Sequence, residues 1–370
     1  MILNKKTTIK DICAKTGFSL GTVHLALNGK TGISDETREK ILQAAKELDY
    51  HPNYAAASLN RKAKLIVGCF PNITGDNRYY YPPIWKGMRD AWTEYGKDMN
   101  ISLLECPYVA FRSPESEDTE NQIDLRELRE KLENGEIDGM VLDGNTSPFD
   151  AAELRRYTES GLKLVIVDSD VPGSGRLACV QANYNVIGRT LAEIITERIM
   201  SYGGILFCAG KQDIYSHHGI EIGFDQYMEE NKCTNKVYKL YNHWINDENY
   251  ERIKDMVGQP DVAAVCCVSS RTSVMLSRAL EETGRAGKLV AVGSDLFPEN
   301  IDALKRSTFQ NLIQKNPYAQ SYTGCHVLIE YLLKDVKPQD QVTVGSQVVF
   351  RSNIMFYEDD RNIFQQRMIL

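Results

Sequence analysis

Three aspartates stand at the ends of apolar runs: Asp168 and Asp170 close LKLVIVDSD, and Asp295 closes LVAVGSD. A carboxylate so placed is an acceptor-only group that suits paired hydroxyls, while aromatic faces can cover the apolar side of a ring. Arg78, Tyr79, Tyr80 and Tyr81 follow the first apolar run and supply basic and aromatic groups; Asp143 and Asn145 follow the third. Each of these residues could instead cap the helix that follows it, a common use of a strand-end Asp or Asn. Their recurrence at several ends favours a shared pocket. Catalysis has less support, because the chain has no GxGxxG, GxxxxGK[ST] or HExxH. Gly173-Ser174-Gly175 reads as a turn. His217-His218 reads as the exposed start of a helix and not as a zinc site. No catalytic residue, metal or cofactor is therefore expected.

The elements that must hold these residues alternate regularly from Leu65 onward. LIVGCF, ISLLEC, GMVLDG, LKLVIVD, GGILFCAG, VYKLYN, VAAVCCVS, KLVAVGSD and FQNLIQK read as strands, each followed, or nearly so, by an amphipathic segment. That is a doubly wound α/β pattern with parallel strands, in which ligands bind beyond the carboxyl ends of the strands. A chain of 370 residues with 42% hydrophobic content can bury a sizeable core in two or three domains. No apolar run approaches the ~18 to 20 residues of a membrane span. The N-terminal MILNKKTTIKD lacks the apolar stretch and cleavage site of a secretion signal, so a cytoplasmic protein is expected. The nine cysteines include no CxxC pair, and Cys266-Cys267 lies in an apolar strand pattern, as buried free thiols do.

The first fifty residues have a different character. TIKDICAKTGFSLGTVHLALN holds two short helical patterns around the turn Gly17-Phe18-Ser19, a helix-turn-helix that fits a DNA major groove. Thr8 caps the first helix with Asp11 three residues on, burying Ile9, Ile12 and Cys13; Ser19 caps the second, which turns Val23 and Leu27 inward. Leu20, Gly21, His24 and Leu25 are then candidates to face outward. Ser34 opens a third helix whose Ile41, Ala44, Ala45 and Leu48 complete a three-helix core. Residues 1 to 64 hold eleven Lys and Arg against six Asp and Glu, whereas the remainder holds 32 against 44. A basic head on an acidic body is attracted to DNA by one end only.

The stretch from Thr8 to Leu59, with its Thr8-Ile9-Lys10-Asp11, Thr22-Val23, Leu27-Asn28-Gly29, Thr37-Arg38-Glu39 and Tyr50-His51-Pro52-Asn53, resembles the headpiece and hinge of the lactose-repressor (LacI/GalR) family. The resemblance implies a helix-turn-helix headpiece over 1–50 and a hinge over 51–64. A ligand-binding and dimerisation body over 65–370 then has the two-lobed fold of periplasmic sugar-binding proteins. With three crossovers, the first lobe is expected at about 65–170 and 317–340 and the second at about 171–316 and 341–370. Thr8, Lys10, Ser19, Leu20, Gly21, Thr22, His24, Leu25, Asn28 and Ser34 are the expected DNA contacts of the headpiece, and Asn53, Ala56 and Leu59 those of the hinge. Leu59 would wedge between base pairs in the minor groove, or else pack under the body. Arg78, Tyr80, Tyr81, Asn145, Asp168, Asp170, Asn183, Asp295 and Lys315 are the expected ligand contacts.

Departures from the family pattern accompany the match. Lys315 stands where the family has glutamine, Ile220 where many relatives place a sugar-binding arginine, and Asn183-Tyr184 replaces an Asp-Asn pair. A lysine in the pocket would admit an acidic sugar or another anion. Leu20, Gly21 and Leu25 replace larger polar readers, so an A·T-favouring palindrome with weak discrimination by the helix is expected, assisted by thymine-methyl contact and DNA bending. The sequence thus implies a ligand-responsive regulator, by family habit a repressor, acting as a homodimer on an inverted-repeat operator, with a small molecule, a sugar or sugar derivative, as effector. The tail YEDDRNIFQQRMIL has no heptad repeat to build a tetramer. An enzyme, or a solute-binding protein without a regulatory role, is the alternative.

Overall fold

The computed structural model describes residues 7–27, 31–48, 50, 62–110, 125–241 and 245–358. The chain divides at Ala63–Lys64 into a helical unit and a larger α/β body. In the helical unit, α1 (Ile9–Thr16), α2 (Leu20–Leu27) and α3 (Asp35–Glu47) close over Ile12, Val23, Ala26, Ile41, Ala44 and Ala45. The Thr8 N–H and hydroxyl both lie 2.7 Å from Asp11 Oδ2 at the start of α1. Gly17 ends α1 with φ 73°, and its N–H bonds the Cys13 carbonyl at 2.8 Å. A side chain there would oppose the left-handed backbone, so glycine lets α2 begin three residues later at a new angle.

The body contains two six-stranded sheets among the described residues. The first is built from β1 (Lys64–Pro71), β2 (Ile101–Tyr108), β3 (Gly139–Asp143), β4 (Lys163–Val167), β5 (Ala178–Ala182) and β11 (Gln341–Val344), in the order β11-β5-β4-β3-β1-β2. The second uses β6 (Gly204–Gly210), β7 (Val237–Tyr241), β8 (Val262–Cys267), β9 (Val290–Ser294), β10 (Asn311–Gln314) and β12 (Gln347–Phe350), ordered β12-β10-β9-β8-β6-β7. All pairings are parallel except β10 with β12. Strands such as β3 and β6 are buried along their whole length, as expected of a sheet covered by helices on both faces.

Sheet membership corrects the expected lobe boundaries. Residues 178–182 and 341–344 belong to the first sheet, so the chain crosses between lobes at Asn183, at Lys315-Asn316 and at Gly345-Ser346, not near 170 and 340. Three of the twelve strands, β5, β11 and β12, were not anticipated. They are four or five residues long and their sequences, ACVQA, QVTV and QVVF, mix polar and apolar residues. Such runs pair only because neighbouring strands present open edges.

Helices cover both sheets, and two of them run directly on from a crossing. α4 (Tyr81–Tyr95), α5 (Arg126–Glu133) and α6 (Ala151–Glu159) serve the first lobe; α7 (Tyr184–Thr196), α8 (Tyr215–Glu230), α9 (Asp247–Val257), α10 (Ser270–Glu282) and α11 (Pro298–Lys305) serve the second. α12 (Pro317–Lys334) returns to the first lobe, where it packs on α4 and on β3, β4 and β5, and α13 (Met355–Glu358) follows β12. No helix among the described residues is long and apolar enough to cross a membrane.

α7 buries Tyr184, Ile187, Gly188, Leu191, Ala192 and Ile195 at helical spacing and lies tightly on α8. A Cβ at Gly188 would sit 1.9 Å from the Ile220 carbonyl oxygen, and one at Gly223 would sit 2.0 Å from the Asn185 carbonyl oxygen. Backbone therefore touches backbone on both sides of this contact. Gly188→Ala should destabilise the body by about 1–3 kcal/mol through overpacking. Gly258→Ala, whose Cβ would meet its nearest neighbour at 3.4 Å, should be close to neutral. Urea denaturation of the two variants checks this, and equal midpoints would show that the helices can separate at no cost.

Candidate functional site

Two regions carry the residues singled out by sequence. In the helical unit, α2 presents Leu20 at its start, 56% exposed, together with exposed Gly21 and His24. Lys10 on α1 and Thr8 before it are also exposed. The Ser19 and Ser34 hydroxyls cap α2 and α3, accepting from Thr22 and Thr37 N–H at 3.2 Å and pairing with the hydroxyls of the same threonines. Leu25, expected to face outward, is half-buried beside Gly32, and Thr22 is half-buried as well. Asn28, Asn53, Ala56 and Leu59 lie outside the described residues.

The second region is a cleft of about 460 Å³ between the lobes of the body, at the carboxyl ends of both sheets. Its organisation follows from the pseudo-equivalence of the two sheets. β4 and β9 each hold the third place in their strand order, and each is followed by, or runs directly into, an aspartate in left-handed conformation: Asp168 with φ 69° and Asp295 with φ 71°. A non-glycine residue there costs about 1–2 kcal/mol, and Asp is among the residues that tolerate it. The turn directs both carboxylates to the cleft wall instead of along the next helix.

Asp168 Oδ1 accepts from the hydroxyls of Tyr80, at 3.1 Å, and Tyr184. Burial raises the Asp168 carboxyl above its ordinary range, while the Tyr184 hydrogen bond and the charge of Lys315 pull it back. Asp295 Oδ2 lies 2.6 Å from the Lys315 ammonium and 3.1 Å from the Ser294 hydroxyl, and its Oδ1 is buried with no hydrogen-bond partner among the described residues. Tyr80 and Tyr81, 9% and 4% exposed, line the cleft at the start of α4, and Asn145 lines it after β3, its Oδ1 accepting from Ser169 at 3.0 Å.

Lys315 is not available to an anion. Its Nζ donates to the Val268 carbonyl at 3.1 Å, the Ser294 hydroxyl at 2.7 Å and Asp295 at 2.6 Å, which uses all three ammonium protons. Sequence suggested that this lysine would admit an acidic sugar; in the folded chain its ammonium is already engaged by Asp295. Three expected contacts lie away from the cleft. Asp170 pairs with Arg176 at 2.7 Å and with the Gln341 amide at 2.9 Å. Asn183 caps α7 by accepting from Val186 N–H at 3.1 Å. Arg78 lies over the Tyr79 ring and reaches Glu299 at 3.5 Å on the exposed side.

The cleft contains groups the strand-end survey missed. Arg271, the second residue of α10, is 7% exposed; its guanidinium bonds Asn77 Oδ1 across the lobes at 2.8 Å, with Asp76 at 3.9 Å. Burial pulls its titration below the ordinary arginine range. VAAVCCVS is followed at once by Ser270-Arg271, so the rule that singled out Asp168 could have found it. His217, expected at an exposed helix start, is 6% exposed and lines the cleft, its Nδ1 accepting from Lys211 N–H at 3.1 Å. His218 is the exposed member of the pair.

Beneath the cleft, Asp143 at the end of β3 is fully buried. Its Oδ2 takes the Thr146 N–H at 3.0 Å and hydroxyl at 2.7 Å, with the Tyr108 and Tyr81 hydroxyls at 3.4 and 3.5 Å, whereas Oδ1 has no partner among the described residues. Burial, reinforced by the negative charge of Asp168, pushes its carboxyl up to about 7.

Comparison with known proteins agrees with this two-part plan. The fold and cleft define a helix-turn-helix unit joined to a two-lobed ligand-binding body. Residues 8–53 match the family model for bacterial regulatory proteins of the lacI family, and residues 67–335 match a periplasmic binding protein domain. The HTH-type transcriptional regulator RegA of Clostridium saccharobutylicum is 32% identical over 358 residues, covering 94% of this chain and 99% of that protein. Catabolite control protein A of Staphylococcus xylosus is 22% identical, covering 93% and 98%. A putative LacI transcriptional regulator from Bacteroides fragilis shares the fold with a TM-score of 0.68 at 20% identity, covering 80% of this chain and all of that one. The chain belongs to the lacI family and is a DNA-binding transcriptional regulator.

Asp143 gives a pH test of the cleft floor. Its folded-state value of about 7 lies above the ~3.9 of an unfolded aspartate, so the protein binds a proton more tightly folded than unfolded. Its contribution to stability is fully present below pH ~4 and is lost as pH rises through 7. Asp143→Asn, which keeps the neutral shape, should match the parent at low pH and exceed it by on the order of 3 kcal/mol above pH 7. Melting curves between pH 4 and 8 decide; parallel curves for the two proteins would overturn the assignment.

Proposed function

We propose that the protein is a cytoplasmic homodimeric repressor whose affinity for an inverted-repeat operator is set by an uncharged sugar bound between the lobes. The observation that carries the ligand class is the pair of left-handed aspartates at the cleft wall, Asp168 and Asp295, each with one oxygen tied by protein donors. Acceptor-only oxygens require a ligand rich in donors, and adjacent sugar hydroxyls meet that need. The rings of Tyr80 and Tyr81 and the side chain of Ile214 cover apolar faces. With Lys315 spent on Asp295, a carboxylate or phosphate on the ligand would face Asp168, Asp295 and Asp76 with little compensation beyond Arg271. Relatives support the class. A ribose operon repressor of Halalkalibacterium halodurans is 26% identical over 62% of this chain and 62% of that protein. A Burkholderia graminis solute-binding protein solved with D-arabinose shares the fold, with a TM-score of 0.65 and 18% identity.

At the operator, a dimer would set two α2 helices into successive major grooves, so that half-site spacing mirrors the twofold axis. Exposed Leu20 favours thymine methyl contact over hydrogen-bonded readout. Ligand and operator are coupled through the body, and the coupling is reciprocal.

Thermal unfolding against neutral aldoses, uronic acids and sugar phosphates tests the class. A ligand at 100 times its dissociation constant adds about 2.7 kcal/mol of stability. Neutral members should give the shift, and operator binding with and without the hit should differ. A preference for uronates or phosphates would refute the uncharged-ligand assignment.

A further inference from the structure

We infer that Lys315 acts as a positioning residue that sets the charge preference of the cleft: it holds Asp295 and cancels its charge, so that the oxygen left over selects a hydroxyl and rejects an ammonium group. This rests on the proposal that the cleft binds a sugar, and it concerns which sugars are excluded.

The geometry is closed on the protein side. The lysine is 4% exposed and follows β10 at a crossing between the lobes, where Asn316 turns through φ 55° to start α12. Its ammonium has an acceptor for each proton: a main-chain carbonyl, a serine hydroxyl and one carboxylate oxygen. Ser294 completes the arrangement by accepting from Lys315 and bonding the same Asp295 oxygen at 3.1 Å. The carboxylate is thereby fixed through Oδ2, and Oδ1 remains without a partner among the described residues. The Lys315 ammonium also lies 5.5 Å from the centre of the Tyr80 ring, whose hydroxyl bonds Asp168. One cation thus stands between the two aspartates that face the cleft.

A hydroxyl donated to Oδ1 feels a neutral ion pair. An ammonium donated to the same oxygen lies one carboxylate width from the lysine charge and is repelled by it. Without Lys315, Asp295 becomes a buried carboxylate with no partner of opposite charge, and the cheapest remedy is a cation from the cleft. Lys315 lines that cleft, so truncating it opens a cavity that small cations can enter.

Two measurements test this. First, Lys315→Ala should melt well below the parent and recover in methylammonium chloride relative to the same concentration of sodium chloride. Lys315→Met/Asp295→Asn, which removes both charges, should melt above Lys315→Met and show no specific response to methylammonium. An equal response of Lys315→Ala to the two salts, or a double variant no more stable than Lys315→Met, would overturn the role. This arm needs no effector, so it stands or falls apart from the sugar assignment.

Second, matched pairs are compared by thermal shift: glucose with glucosamine, galactose with galactosamine, and mannose with mannosamine. The parent should favour the neutral member by roughly tenfold or more in affinity. Lys315→Gln, which keeps a donor and removes the charge, should reverse the ratio, and Lys315→Gln/Asp295→Asn should restore it. A ratio unchanged by Lys315→Gln overturns the specificity role. Failure of every pair on the parent, with methylammonium rescue intact, counts against the sugar reading and leaves the Lys315–Asp295 relation standing.

Discussion

The body depends on how it tolerates buried carboxylates at the junction of its lobes. Asp143, Asp168 and Asp295 are all 2% exposed or less, and removing such a group from water costs several kcal/mol even after relaxation. Each meets that cost differently. Asp295 takes a full positive charge from Lys315, Asp168 takes two phenols, and Asp143 takes hydroxyl and amide donors on one oxygen while burial shifts its titration to about 7. The donors come from separate parts of the chain, so the arrangement holds only when β1, β4, β9 and the crossing at Lys315 are all in place. The polar wall of the cleft is therefore complete only when the two lobes are correctly joined.

The same donors tie the cleft to the crossings between the lobes. Tyr184 is the first residue of α7, immediately after the crossing at Asn183, and its hydroxyl bonds Asp168. Lys315 and Asn316 form a second crossing, and Lys315 bonds Asp295. Two of the three strands that join the lobes therefore carry a side chain engaged with a cleft carboxylate. Arg271 bonds Asn77, and Tyr79 packs on Phe297 with ring centroids 4.9 Å apart, so the loop after β1 also bridges the lobes. A ligand that competes for these carboxylates acts on the connections that fix lobe orientation. That is a physical route by which occupancy could favour one orientation, since a ligand shifts an equilibrium only by what it gains in one state over the other.

Much of this was legible in sequence because it rests on local rules. Gly17 and the caps at Thr8, Ser19 and Ser34 mark helix ends, and long apolar runs such as LKLVIVD mark central strands. Asp168 and Asp295 were found because each follows such a run. The rule failed where geometry is decided by distant partners. Asp170 stands two residues past Asp168 yet turns away to Arg176, because that arginine stands near the first sheet's edge beside β11. The strand β11 itself was invisible, since QVTV becomes a strand only by pairing with β5. Arg271 and His217 escaped because a polar residue at a helix start ordinarily reads as solvated, whereas the folded chain leaves them only 7% and 6% exposed.

Lys315 shows the limit most clearly. As a residue type in a pocket it suggests attraction for an anion, and that inference treats the side chain as a free charge. The structure makes it half of an ion pair with every proton committed. Its effect on a ligand is then opposite in kind: it does not attract a negative group but moderates a negative one already present. The sign of a residue's influence on specificity follows from its unspent hydrogen-bonding capacity, which sequence does not record. The same accounting applies to Asp168 and Asp295, each of which has one oxygen already held by protein donors. A site whose charges are largely cancelled within the protein can distinguish ligands by the geometry of neutral donors, and such discrimination is far less sensitive to salt than long-range attraction would be.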